Sequence, residues 1–81
     1  KALEINPRHA GALNNRGIVK EEMGNPKGAI EDYTKALEIN PRQADTIYNR
    51  GIIKEELGDL KGAKEDFARY QMLLQENHND A

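Results

Sequence analysis

The hydrophobic side chains of this chain recur three and four residues apart, which is the spacing of helices that bury one face. The pattern predicts four helices, near residues 10–23, 26–40, 44–57 and 60–76. On a helical wheel, the first and third helices each gather small and apolar residues on one arc, which we expect to face the core. These residues are Ala12, Leu13, Gly17, Val19 and Met23, and then Thr46, Ile47, Gly51, Ile53 and Leu57.

Turn residues mark the ends of the predicted helices. Gly24 and Gly58 end the first and third helices, where a residue free to adopt positive φ is favoured. Asn25 and Asp59 then stand where a side-chain oxygen caps the following helix. Pro41 closes the second helix, because proline cannot continue a helix and disfavours it in the preceding residue.

The sequence also repeats itself. Residues 1–8 return unchanged as residues 35–42, and aligning residues 1–34 with 35–68 gives 22 identities in 34 positions. Such self-similarity indicates an array of supersecondary units. We divide the chain into residues 1–8 as the tail of a truncated preceding repeat, 9–43 as repeat one, 44–77 as repeat two with the terminal helix, and 78–81 as a frayed tail.

A helix-turn-helix unit of 34 residues resembles the tetratricopeptide repeat, and the residue pattern agrees. The resemblance implies an all-α fold, an α-solenoid of antiparallel helix-turn-helix repeats in a right-handed superhelix. It also implies structural roles for a set of small and aromatic residues that pack the paired helices together: Gly17, Gly51, Ala29, Ala63, Tyr33 and Phe67, with Ala36 and Pro41 as the family's second alanine and closing proline.

The chain departs from the family pattern at a few positions. Leu13 and Ile47 stand where the family often has tryptophan, Tyr70 replaces the second alanine, and charged residues replace apolar or aromatic ones. Buried charge needs a partner or a route to water. We hypothesise ion pairs from Arg16 to Asp32 and from Arg50 to Asp66; the alternative is a packed stem with a solvated head, which we favour for Lys20 and Lys54.

The opposite arc of the first and third helices is polar, with one isoleucine in each. In tetratricopeptide arrays this face lines the concave groove that holds partner peptides, so the resemblance implies a ligand with apolar anchors and some basic residues. Scattered isoleucines are also normal on surfaces. The expected groove residues are Asn14, Ile18, Glu21, Glu22, Tyr48, Asn49, Ile52, Glu55 and Glu56, with Arg8 and Arg42 at the rim.

A carboxylate clamp, as in some chaperone-adaptor members of the family, is not expected here. Asn15 and Asn49 resemble one clamp asparagine, but Asn14 and Tyr48 stand at the expected lysine site, and a third repeat is absent.

Composition narrows the remaining function classes. The net charge of −2 argues against nucleic-acid binding, including RNA reading by helical repeats, which usually needs a positive surface. No apolar run is long enough for a membrane span. The chain has no cysteine and no serine, its two histidines lack ligand spacing, and its adjacent acids diverge around the helix. We therefore expect no catalytic residue, metal, cofactor or enzyme activity. The compartment stays open, with the cytoplasm as the default expectation.

The two ends differ. Ile30, Ala36 and Leu37 of the inner unit become Lys64, Tyr70 and Gln71 in the last unit, as a solvent-facing terminal helix requires. The start instead matches the close of a repeat, so we expect a truncated amino-terminal end with uncovered apolar surface. The rival function is therefore a homo-oligomer, assembled when repeats stack on another copy through that end. Changes in Leu3, Ile5 or Leu13 would then impair self-association.

Overall fold

Four helices form the part of the chain that the computed structural model describes, residues 7–78, with side chains described from residue 9 to residue 76. They are α1 (Pro7–Glu22), α2 (Pro26–Ile39), α3 (Ala44–Glu56) and α4 (Leu60–His78). Each packs on the next along the chain, α1 on α2, α2 on α3 and α3 on α4. This confirms the all-α expectation.

The helix bounds differ slightly from those expected. α1 begins three residues early, at Pro7, because proline suits a first helical position. α4 continues through Asn77 and His78, beyond the expected end at residue 76. The expected amino-terminal helix tail at residues 1–6 lies outside the described residues, as do residues 79–81.

The turns form as the sequence indicates. Gly24 and Gly58 have φ of 81° and 91°, a backbone region that favours glycine. Asn25 Oδ1 accepts a hydrogen bond from the Gly28 amide at 3.0 Å, and Asp59 Oδ1 accepts one from the Gly62 amide at 3.0 Å. These side chains satisfy amides that the first turn of each following helix leaves without intrahelical partners.

The core lies between the helix pairs. Ala29 and Tyr33 of α2 form a buried cluster with Ile53 of α3, and Ile18 and Ile30 pack against it. Gly17 lets α1 approach the Tyr33 ring, as Gly51 lets α3 approach Phe67. Each of these two glycines therefore lies directly against the aromatic ring of its own repeat.

The expected core arc is only partly buried. Val19 is 49% exposed, whereas Ile53, its counterpart in the second unit, is 2% exposed because α2 covers it. No described residue covers α1 in the same way, so Ala12 is exposed as well. Met23 and Leu57 were also expected to face the core, but they follow the ends of α1 and α3 and are exposed.

The two expected ion pairs are present. Arg16 donates from Nε and Nη2 to the Asp32 carboxylate, each at 2.8 Å. Arg50 does the same to Asp66, at 3.0 and 2.9 Å, and also donates to Thr34 Oγ1 at 3.3 Å. The hydrogen bond from Arg16 lowers the pKa of Asp32 to about 2, although its burial acts in the opposite direction.

The expectation for the two lysines was wrong. Lys20 Nζ lies 3.2 Å from Asp32 Oδ2, and Lys54 Nζ lies 3.4 Å from Asp66 Oδ2. Their heads pair with a carboxylate rather than extending into water. Each buried aspartate therefore holds two cations, which offsets the cost of burying its charge.

Candidate functional site

The expected groove residues occupy one side of α1 and α3, but their environments differ. Ile18 and Ile52 are half-buried, whereas Glu22, Glu55 and Glu56 are exposed. Ile18 also packs against the core cluster, so it is fixed in place rather than a freely mobile surface side chain. The exposed carboxylates make no ion pair with other described residues.

Asn14 was expected to line the groove, but unlike the other expected residues of α1 and α3 it is buried, with only 6% of its surface exposed. Its Oδ1 accepts hydrogen bonds from Thr46 Oγ1 at 2.9 Å and from Asn49 Nδ2 at 3.2 Å. Asn14 therefore ties α1 to α3 and offers little to a ligand. Asn49 remains half-buried beside it.

A series of side-chain hydrogen bonds, which the sequence did not indicate, extends this contact between α1 and α3. Gln43 Nε2 donates to Thr46 Oγ1 at 2.6 Å and to the Ala10 carbonyl at 3.2 Å. Thr46 is fully buried, as its position on the expected core arc predicts, but its hydroxyl is hydrogen-bonded. These hydrogen bonds join the start of α3 to α1, the two helices that carry the expected groove residues.

Glu21 and Glu55 are equivalent in sequence but not in structure. The Tyr33 hydroxyl donates to Glu21 Oε2 at 2.5 Å, whereas the matched aromatic Phe67 has no hydroxyl for Glu55. Burial and the adjacent Glu21 carboxylate raise the Tyr33 pKa above its ordinary value. Glu21 is thus held in position, while Glu55 is exposed.

Tyr48 lies at the edge of this side, against α4. Its ring is tilted against those of Phe67 and Tyr70, with centroids 5.6 and 5.0 Å away. The side chain is 43% exposed, so only part of the ring is available to a ligand.

The expected rim residue Arg42 is engaged elsewhere. Its Nη2 donates to Glu76 Oε1 at 2.7 Å, between two exposed side chains. This pair links the turn after α2 to the end of α4. The side chain of Arg8 lies outside the described residues.

Two of the clefts in the described part of the chain lie beside α1. One, of about 310 Å³, is lined by Glu21, Glu22, Gly24, Pro26, Ile53 and Glu56. The other, of about 350 Å³, is mostly apolar and is lined by His9, Ala12, Leu13, Arg16 and Ile39. The first adjoins the expected groove. The second lies at the start of α1, where the sequence predicts an uncovered end.

The described residues contain no cluster of three or more histidine, aspartate or glutamate side chains placed to hold a metal ion. Nor is any described helix both long enough and apolar enough to cross a membrane.

Comparison with protein families gives the identity of the repeat. Two models of the tetratricopeptide repeat match, one over residues 10–43 and the other over residues 32–65. Together they span most of α1, all of α2 and α3, and the first part of α4. The chain belongs to the tetratricopeptide repeat family, whose members generally mediate protein–protein interactions and are typically not enzymes. A search of curated proteins gave no match.

Proposed function

We propose that this chain is a non-enzymatic interaction module that binds a short peptide segment of a partner protein along the groove side of α1 and α3. The observation that carries the proposal is the repeated pair Ile18 and Ile52. Each is a half-buried apolar side chain with at least one exposed carboxylate one turn away, and the arrangement occurs in both repeats.

The chemistry of the groove favours a peptide that is both apolar and basic. An aliphatic side chain buried against Ile18 or Ile52 contributes about 1.5–3 kcal/mol. Glu22, Glu55 and Glu56 make no ion pair with described residues and attract lysine or arginine. Because association costs at least about 4 kcal/mol in lost freedom, two anchors give modest affinity, and both repeats must be engaged together.

The ends of the groove differ in how firmly they are organised. At the turn between α1 and α2, Glu21 is held by Tyr33, and Glu22, Ile53 and Glu56 line the cleft of about 310 Å³. In the second repeat, Glu55 has no such support. The first end therefore suits one defined basic side chain, and the second tolerates several.

A peptide library displayed on phage tests this function. The immobilised protein selects from random dodecapeptides, and the most enriched sequence is synthesised for affinity measurement by calorimetry. We expect enriched peptides to combine leucine or isoleucine with lysine or arginine. The substitution pair Ile18→Ala and Ile52→Ala should weaken binding at least about tenfold, which corresponds to about 1.4 kcal/mol.

Two further variants separate groove binding from a general loss of structure. Val19→Ala removes an exposed aliphatic side chain of α1 outside the groove and should leave affinity unchanged. The pair Glu22→Gln and Glu56→Gln changes only exposed carboxylates, and it should weaken binding and reduce its salt dependence. Selection of acidic peptides, or equal losses in the Val19 and isoleucine variants, would contradict the proposal.

A second candidate function is self-association through the amino-terminal end. The Arg16 side chain is 57% exposed, whereas its counterpart Arg50, which α2 covers, is 20% exposed. Leu13 is half-buried in the apolar cleft of about 350 Å³, whereas its counterpart Ile47 is buried. We name the surface formed by Ala12, Leu13 and Arg16 the α1 face. A second copy that covers it would restore the environment found at α3.

Light scattering over a wide concentration range tests this alternative. The mass should rise with concentration, and Leu13→Glu should keep the chain monomeric by placing a charge on the α1 face. Leu60→Glu is the matched control, since Leu60 is an exposed leucine on α4. A single-chain mass throughout, or an equal effect of both substitutions, would refute self-association through the α1 face.

A further inference from the structure

The two repeats present different surfaces where a following helix would pack. In the first repeat, α3 occupies this place: Thr46 and Asn49 bond Asn14, and Ile53 packs on the Tyr33 ring. The matched surface of the second repeat is formed by Tyr48, Phe67 and Tyr70, and we name it the tyrosine face. No described helix covers it.

The tyrosine face differs from its counterpart at two linked positions. Tyr48 replaces Asn14, and Tyr70 replaces Ala36. In the first repeat Ala36 is fully buried, and its methyl side chain leaves room for a neighbouring helix. In the second repeat the two replacing rings contact each other, with centroids 5.0 Å apart, and Tyr48 also contacts Phe67.

In the second repeat, Tyr48, the counterpart of Asn14, instead contacts the counterparts of Tyr33 and Ala36. Ring centroids separated by 5.0 and 5.6 Å lie within the favourable range for aromatic pairs. Admitting a helix at this place would require both bulky side chains to leave these contacts. Lys64 and Gln71, which replace Ile30 and Leu37, add a polar border on α4.

We propose that Tyr48 and Tyr70 close the tyrosine face against a helix of a second copy. The inference rests on the second candidate function, self-association, and it specifies the geometry of that association. Head-to-tail growth needs two different faces on every copy. With the tyrosine face closed, the α1 face is the one stacking face left among the described residues, so assembly takes the form of a two-fold dimer and stops there.

Two variants isolate the contribution of the rings. The first carries Lys64→Ile and Gln71→Leu, which restore the apolar border and keep both tyrosines. The second adds Tyr48→Asn and Tyr70→Ala, so that both ring positions carry the first repeat's residues. Light scattering should show at most dimers for the wild type and the first variant. The second variant should form larger species whose mass grows with concentration.

A mixing experiment identifies the faces in contact. One chain carries all four substitutions together with Leu13→Glu, so that only its opened face can bind. The other carries the wild-type tyrosine face and an intact α1 face. We expect a one-to-one complex in excess of any wild-type dimer, and none when both chains carry Leu13→Glu. Far-ultraviolet circular dichroism checks that each variant is helical. If the variant with all four substitutions does not fold, a variant that carries Tyr70→Ala and retains Tyr48 takes its place.

The outcomes separate this inference from the function on which it rests. Chains longer than dimers in the wild type or the first variant would overturn it, because the rings would not be closing the face. Failure of the opened variant to exceed the mass of the first variant would also overturn it. A monomeric wild type would refute only self-association, since the opened variant still tests the tyrosines.

Discussion

Gly17 packs directly against a buried aromatic ring, and its replacement by alanine is a direct test of the packing. A Cβ atom built at Gly17 would lie 2.5 Å from Tyr33 Cε1 and 2.8 Å from Tyr33 Cδ1. The Tyr33 ring is fully buried, and its hydroxyl is held by Glu21. The ring cannot move aside without disturbing both α1 and the core cluster.

Two opposing effects set the magnitude. Alanine is more favourable than glycine inside a helix by about 1 kcal/mol. Overpacking in a well-packed core costs about 1–3 kcal/mol, and the short distances to a fixed ring place this site near the upper limit. We therefore expect Gly17→Ala to lower the free energy of unfolding by about 2 kcal/mol.

Urea denaturation followed by circular dichroism measures this change, and Gly11 supplies a control within the same helix. A Cβ atom at Gly11 would meet nothing within 4 Å, so Gly11→Ala should stabilise the protein by up to about 1 kcal/mol through helix propensity alone. Opposite signs for the two substitutions are the expected result. A Gly17→Ala protein as stable as the wild type would refute the close-packing argument.

Three other predictions concern polar groups. Because the Asp32 pKa falls from 3.8 to about 2 on folding, the contribution of the Asp32 carboxylate to stability is present above pH 4 and is lost as the pH falls towards 2. Asp32→Asn should therefore reduce the loss of stability between pH 4 and pH 2. An unchanged loss over this range would count against the ion pairs. Tyr33→Phe should lower the free energy of unfolding by about 1.5–3 kcal/mol, since it removes a hydrogen bond to a charged group. In an absorbance titration, the variant should also lack the tyrosine that ionises above the ordinary pKa. A titration in which this high-pKa tyrosine remains would show that the group is not Tyr33. Asn14→Ala should cost about 1–3 kcal/mol in urea denaturation because it leaves the buried Thr46 hydroxyl without its acceptor, and a neutral effect would show that this link between α1 and α3 is not structural.

The helices and turns were predictable because their signals are local. Gly24, Gly58 and Pro41 act on the backbone within a few residues of themselves, and the repeat shows each signal twice. The ion pairs from Arg16 and Arg50 were predictable for a similar reason. Each lies 16 residues from its aspartate, within a single helical hairpin.

Burial was harder to predict, because it depends on which helix lies outside a given surface. Val19 and Ile53 occupy the same place in the repeat, yet only Ile53 is covered, by α2. A helical wheel treats each helix alone and cannot distinguish them.

The role of Asn14 was missed for a related reason. It shares the polar arc with the groove residues, and its partners Thr46 and Asn49 lie 32 and 35 residues further along the chain. Nothing near Asn14 in the sequence indicates that α3 would use its amide oxygen. The lysine ion pairs similarly depended on how far each flexible stem reaches towards an aspartate already bonded to arginine.

The proposed binding site for a partner peptide is the groove side of α1 and α3. Backbone amide shift mapping with the peptide selected from the phage library tests this site. We expect the largest shifts at Ile18, Glu22, Ile52 and Glu56, with little change at Val19. Shifts concentrated at Leu13 and Ile39, with the groove side unaffected, would contradict it and place the partner in the cleft beside α1 instead.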